Sequence, residues 1–187
     1  MIGGFAIHGH AIVSADDRIA DATGVTPPEL RNEADWVRFQ AALDRAAVTV
    51  LGRFGHEANP NVRRRNRLVL SSSVRGVERR DDAWWWNPAQ ASAETALNAA
   101  APDGGIAAVP GGRRVFDLFL ALGFDEFHLA RAGRVVLEGG IPIFTRVLSG
   151  VGVDAMLAAS GLSAGPLEVL DPAAGVTLTR WRRLPAA

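Results

Sequence analysis

The chain has 187 residues, 48% hydrophobic and 21% charged, and its 20 basic side chains balance 20 acidic ones. That is enough apolar material for a sizeable core, too much for a disordered chain, and no net charge to attract nucleic acid. Every basic side chain is arginine and cysteine is absent, which excludes Schiff-base, Walker-lysine, thiolate and disulfide chemistry and leaves bidentate phosphate recognition intact.

Phe5 to Val13, a largely apolar run interrupted by His8 and His10, predicts a buried strand. Asp16 to Asn32, with Gly24 and Pro27-Pro28, predicts a long loop and a candidate lid. From Glu33 to Ala46 the apolar positions Trp36, Val37, Phe39, Ala42, Leu43 and Ala46 keep helical spacing. Val48 to Leu51 is a second strand, a short helix follows from about Gly55, Leu68 to Leu70 is a third strand and Trp84 to Trp86 a fourth. Asn87-Pro88-Ala89-Gln90 has the form of a helix start, leading into an Ala-rich helix to about Ala100. Ile106 to Pro110 reads as a strand, followed by a helix to about Leu122 and a strand from Glu126 to Ala130. Leu167 to Leu170 and Val176 to Trp181 close the chain as an antiparallel hairpin. Alternating strands and helices with such an edge indicate a mixed, mostly parallel α/β sheet in a single domain over residues 1–187. No apolar run reaches the about 18 residues of a membrane span, and residues 1–7 lack a basic n-region. The expectation is a soluble, cytoplasmic protein with no membrane or nucleic-acid partner.

Gly111-Gly112, between the apolar strand and the helix, makes an anion cradle, because backbone without Cβ approaches a ligand closely and the first helical amides point at it. A second strand–Gly–helix junction, Leu51-Gly52-Arg53, adds an arginine suited to phosphate. Two cradles fit an elongated, phosphate-rich ligand such as a dinucleotide.

Several stretches carry a further signal in their order: Ser14 to Ala20, Ala34 to Phe39, Leu51 to Gly55, Arg65 to Ser72, Gly111 to Phe116, Asp125 to Leu129 and Glu138 to Phe144. Over about residues 5 to 147 the chain thereby resembles the dihydrofolate reductase superfamily, including the C-terminal reductase domain of riboflavin-biosynthesis deaminase/reductases. The resemblance implies a dihydrofolate reductase-like three-layer α/β fold, and an NADPH-dependent reductase acting on a small molecule, a pteridine or a ribosylaminopyrimidine phosphate. It places Asp35 at the catalytic carboxylate and Phe39 against the substrate ring. It gives Arg65 to a substrate carboxylate or ribose phosphate. The nicotinamide would lie near Ala11, Ile19 and Ala20. Gly52, Arg53, Phe54 and Gly55 would hold pyrophosphate and 2′-phosphate, Ser71 and Ser72 the adenosine phosphate, and Gly111, Gly112, Arg113, Arg114 and Val115 the cofactor turn. Riboflavin-branch relatives commonly pair, which implies a homodimer. Three departures stand out: Asp17 where a glycine is usual, Gly55 where a hydroxyl residue is common, and Phe116 where folate enzymes carry tyrosine. They keep open a non-catalytic NADPH- or pterin-binding protein.

Read from the residues alone, Asp35 is a first-turn acid that complements the helix dipole, and the serines after Leu70 make a turn. Arg63-Arg64-Arg65 reads as a wet, charged loop. His8 and His10 share a strand face, and with His56 or His128 have donors for a metal, but no third ligand sits at telling spacing. They read as satisfied core or cleft histidines, and no metal is expected. Trp84 to Trp86 reads as strand and core.

Overall fold

The structure is a computed structural model and describes residues 1–184; the last three residues of the expected domain lie outside the described part. Strand β1 (Phe5–Ser14) leads into the short β2 (Arg18–Ala20), a 3-10 turn at Pro28–Leu30 and helix α1 (Glu33–Arg45). Then come β3 (Val48–Gly52), α2 (Arg53–Ala58), β4 (Arg67–Leu70), β5 (Val77–Arg80), β6 (Ala83–Trp86) and α3 (Ala93–Ala100). The rest is β7 (Gly105–Gly111), α4 (Arg113–Leu122), β8 (Glu126–Ala132), β9 (Ile141–Pro142), a 3-10 turn at Thr145–Ser149, α5 (Val153–Ala159), β10 (Leu162–Asp171) and β11 (Val176–Arg183). Nine strands form one sheet in the order β10-β11-β8-β1-β7-β3-β4-β6-β5, and β2 pairs with β9 separately. From β8 across to β6 neighbouring strands run parallel, while β11, β10 and β5 are antiparallel to their neighbours. The mostly parallel sheet with an antiparallel C-terminal edge is therefore as the sequence predicts.

Period-two alternation divides the sheet into two faces. Phe5, Ile7, Val50, Leu68, Val109 and Phe127 pack with buried residues of α3, α4 and α5 into the main core. The opposite face of β1 bears His8 and His10, and α1 covers it, with Phe39 edge-on to His10 at 6.3 Å between ring centroids. One close fit fixes the centre of the main core. Gly9 lies opposite Phe127 in the β1–β8 ladder, and a Cβ there would sit 2.2 Å from Phe127 Cδ2. The missing side chain lets the phenyl ring lie over β1, edge-to-face with Phe124 at 5.0 Å.

Several local expectations change. The helix expected with Asn87 as its cap starts five residues later, with Ser92 as the capping residue whose Oγ accepts from Thr95 N at 3.1 Å. Asn87 is instead buried, donating to Val74 O and accepting from Ala89 N, so it closes a turn rather than a helix end. The segment read as loop from Asp16 to Asn32 contains β2 and a 3-10 turn. Helix α2 begins at Arg53, ahead of Gly55. The edge strand β5 is polar and half exposed, and α5, with only seven residues, is too short to show a period.

Candidate functional site

The two glycine turns lie side by side. Leu51 is the ladder partner of Gly111, and Gly52 that of Leu70, so Gly52, Ser71 and Gly111 line the carboxyl ends of three adjacent parallel strands. Ligands of open parallel sheets bind at such ends. Gly111 and Gly112 have φ of 137° and 86°, which L side chains rarely adopt, and Gly112 caps α4. The first amides of that helix, on Arg113 and Arg114, have no intrahelical acceptor. Val115 Cγ2 lies 3.5 Å from where a Cβ on Gly52 would be and 3.6 Å from one on Gly112, so one side chain packs under both turns. Beside them Arg53 lies 5.4 Å from the Phe54 ring centre and 3.6 Å from Glu57, and Phe54 is 78% exposed. Gly55 follows within the same short helix. Ser71 Oγ accepts from Ser73 N at 3.1 Å, closing a turn that leaves Ser72 exposed.

Asp35 sits in the first turn of α1, whose N-cap Asn32 accepts from Asp35 N at 3.2 Å. Because α1 returns to β3 through two residues, its N-terminus lies toward the carboxyl ends of the parallel strands. The Asp35 carboxyl is half-buried and bonds to no described residue. Burial pushes its pKa up to about 6 against the opposing pull of Arg38. The Arg38 guanidinium is itself held by both oxygens of Glu168, at 2.9 and 3.2 Å, and so does not pair with Asp35. Phe39, one turn on, is half-buried between Trp36 and His10. Ala11 and Ile19 pack at the margin of the main core, and Ala20 is buried. A Cβ on Gly140 would sit 2.5 Å from Ala20 O, so the second glycine after Glu138 is a close backbone approach that holds this strand.

Arg65 faces elsewhere. Its Nε and Nη2 bond Asp44 Oδ1 at 2.9 and 2.6 Å and Nη2 bonds Gln40 Oε1 at 2.8 Å, toward the C-terminal half of α1. Asp44 is nine residues, about 13 Å along the helix axis, from Asp35. The structure thus brings the two cradles together, and ties Arg65 to the side of α1 instead of leaving its guanidinium free.

Asp17 takes the left-handed φ of 62° for which a glycine is usual. Its Oδ1 pairs with Arg131 at 2.6 Å and its Oδ2 accepts from Val153 N at 3.0 Å, so the aspartate caps α5 from a distant part of the chain. No sequence signal links positions 17 and 153.

The histidines were also only partly legible. Ligand atoms of His8, His10 and His128 all lie within 4.8 Å of one another, whereas His56 stands apart against Trp85 and Arg67. The third member comes from the β1–β8 register, which sets His10 beside His128 and His8 beside Glu126. His10 and His128 are stacked at 4.5 Å, and Glu126 Oε1 lies 2.9 Å from His128 Nε2. Burial holds His10 down at about 3 and His128 at about 4, and lowers His8, so all three are neutral at pH 7. With Ala42, Arg45, Ile106 and Arg180 they line a cavity of about 240 Å³. A larger groove, about 450 Å³, runs along the β10–β11 hairpin and is lined by none of the residues that the sequence resemblance singles out.

No family model matches the sequence, and no curated protein is similar to it. Solved structures are similar in fold. A pyrimidine reductase-like protein from Corynebacterium diphtheriae superposes with a TM-score of 0.67 at 14% identity, over 97% of this chain and 92% of that one. Dihydrofolate reductase from Enterococcus faecalis, complexed with NADP(H) and RAB-propyl, gives 0.65 at 17% identity, over 95% and 96%. A diaminohydroxyphosphoribosylaminopyrimidine deaminase/5-amino-6-(5-phosphoribosylamino)uracil reductase from Thermotoga maritima gives 0.63 at 16%, over 97% of this chain and 57% of that longer one. The chain has the dihydrofolate reductase-like fold.

Proposed function

We propose that this chain is one NADPH-dependent reductase domain that reduces a small molecule with a 2-amino-4-oxo pyrimidine edge, a dihydrofolate-like pteridine or a ribosylaminopyrimidine phosphate of the riboflavin pathway. The observation that carries the reading is Asp35, a half-buried carboxyl with no partner among the described residues and a pKa near 6, at the end of the sheet that holds both glycine cradles. A structural first-turn acid would be solvated or paired. This one is half-buried and pairs with no described residue, which is the state of a carboxyl kept for a ligand.

The residues present fit the cofactor. The positive φ of Gly111 and Gly112, the free amides of α4 and the arginines Arg53, Arg113 and Arg114 suit a pyrophosphate and a 2′-phosphate, and side chains on those glycines would obstruct the approach. Bound there, NADPH supplies hydride. Asp35, ionised, accepts two hydrogen bonds from the 2-amino and ring N–H edge; protonated, it passes a proton toward the ring nitrogen, directly or through water. Phe39 and Trp36 wall the ring, and β2 with the turn at Gly140 closes the other side and limits water. Arg65, fixed to Asp44 and Gln40, acts in this scheme on the helix that carries Asp35 and Phe39. The fully buried Phe116 packs on Phe127 and Phe144, so its lost hydroxyl is a change within the core. A cytoplasmic homodimer belongs to the same reading; exposed Leu167 and Val169 on the outer strand β10 support the pairing.

Titration of the purified protein with NADPH and NADH, followed by nicotinamide fluorescence, tests the reading. NADPH should bind more tightly than NADH, and be consumed when dihydrofolate or a ribosylaminopyrimidine phosphate is added. Binding without consumption across a pterin, folate and pyrimidine panel would leave a binding protein, and no binding would sink the cofactor assignment.

A further inference from the structure

We infer that His8, His10 and His128 form a three-histidine site for a divalent d-block cation of the zinc type, with a fourth coordination position opening into the 240 Å³ cavity between α1 and the sheet. This inference does not depend on the reductase reading.

The site is built by the sheet rather than by a loop. Parallel pairing of β1 and β8 puts His8 and His10 on one strand and Glu126 and His128 directly beside them, all on the face under α1. His10 is only 6% exposed, and neither it nor His8 makes a side-chain hydrogen bond to a described residue. Buried imidazoles normally find partners, so the unpartnered His10, beside the half-exposed His8 and the ring of His128, leaves nitrogen lone pairs free for an occupant of the cavity. Water is one answer; a metal ion is the one for which three nitrogen donors are matched. Tetrahedral zinc with Zn–N bonds of about 2.0–2.1 Å places its nitrogens about 3.3 Å apart. The ligand atoms here lie within 4.8 Å of one another, and binding requires the stacked His10 and His128 rings to turn about χ1 and χ2 so that their lone pairs meet at the ion.

Glu126 supplies the outer shell. Its Oε1 lies 2.9 Å from His128 Nε2, within reach of the carboxylate–histidine arrangement that orients metal-bound imidazoles once the ring turns to donate that N–H and present Nδ1 to the ion. Three neutral nitrogens with no thiolate favour zinc, copper, nickel or cobalt over magnesium or calcium, which require oxygen. The nearby guanidiniums oppose a bare dication, but two are already paired: Arg180 with Glu168 at 3.6 Å and Arg182 with Glu126 at 3.5 Å. Arg45 and Arg180 also line the cavity, so an anionic fourth ligand, hydroxide or a carboxylate, meets positive charge across from the ion.

Cobalt(II) is the probe, added to chelator-treated full-length protein and followed by visible absorption. The expected result is one equivalent bound, with the intense d–d bands of a four-coordinate ion, displaced by zinc, and a melting temperature raised by zinc through mass action. His10→Ala should abolish the bands. His8→Gln, at a half-exposed position with little risk to folding, should weaken binding at least tenfold, and Glu126→Gln should do so by 10–100-fold. Metal-free melts of each variant check that it is folded, and NADPH titration of the same samples reads the reductase site separately. Absence of four-coordinate bands in the parent protein, or bands unchanged in folded His8→Gln, would overturn the site. So would equal thermal protection by inorganic phosphate without metal, which would make the cluster an anion site.

Discussion

Asp35 works against the stability of its own fold. Its pKa is raised from the ordinary 3.8 to about 6 because burial penalises the charged form, so the folded state loses stability as pH climbs from about 4 through 6 and keeps the deficit above that. At about 1.4 kcal/mol per pH unit this is on the order of 3 kcal/mol. Asp35→Asn should therefore melt higher than the parent at pH 8 and close to it at pH 4, while NADPH affinity is kept and turnover falls at least a hundredfold. A variant that loses stability at pH 8 would mean the carboxylate is paired in solution. Asp17 shows the reverse balance: a strained φ held by an ion pair and a hydrogen bond from a backbone N–H. Asp17→Ala removes both bonds and keeps the strain, with an expected loss of about 2–4 kcal/mol in urea denaturation. Asp17→Gly, relieved of the strain, should lose less. Sequence reasoning singled out both aspartates, Asp35 from its motif and Asp17 as a departure. It missed what compensates Asp17 because Arg131 and Val153 lie more than a hundred residues away.

Among the elements, the strand–glycine–helix junctions were the most legible, since a glycine between an apolar run and a helical run is a local signal, with positive φ at Gly111 and Gly112 and an extended φ of −80° at Gly52. Gly112→Val combines a β-branched side chain with a φ of 86° at the cap of α4. Its NADPH dissociation constant should rise at least tenfold, more than its melting temperature alone would explain; equal NADPH affinity in a folded variant would remove this turn from the cofactor site. Helix α3 was misplaced at its start because Asn87 and Ser92 are both good caps. Tertiary bonding of Asn87 to Val74 O decided between them. At the middle of β1, Gly9→Ala should cost about 1–3 kcal/mol or more, because Phe127 is fully buried and hemmed in by Phe116, Phe124 and Phe144 and cannot move aside.

For the molecule as a whole, alternating strand and helix signals were enough to give a mostly parallel sheet, but strand order was not. His128 could not be assigned to His8 and His10 from spacing, because which strands flank β1 is a property of the complete sheet. The two antiparallel outer strands differ in what they expose. Strand β5 shows Arg79 and Arg80 to solvent, while β10 shows Leu167 and Val169. Charged edges resist pairing and apolar ones permit it. Sedimentation should show a dimer for the parent protein and a monomer for the double variant Leu167→Lys, Val169→Lys; a parent that sediments as a monomer removes the homodimer. The position of β1 in the strand order also sets a timetable. Its ladder partners are β7 and β8, about a hundred residues later in the sequence, so β1 stays unpaired until they have been made. Closing so long a loop is slow, and the interval is when this sequence is most exposed to aggregation and most in need of a chaperone.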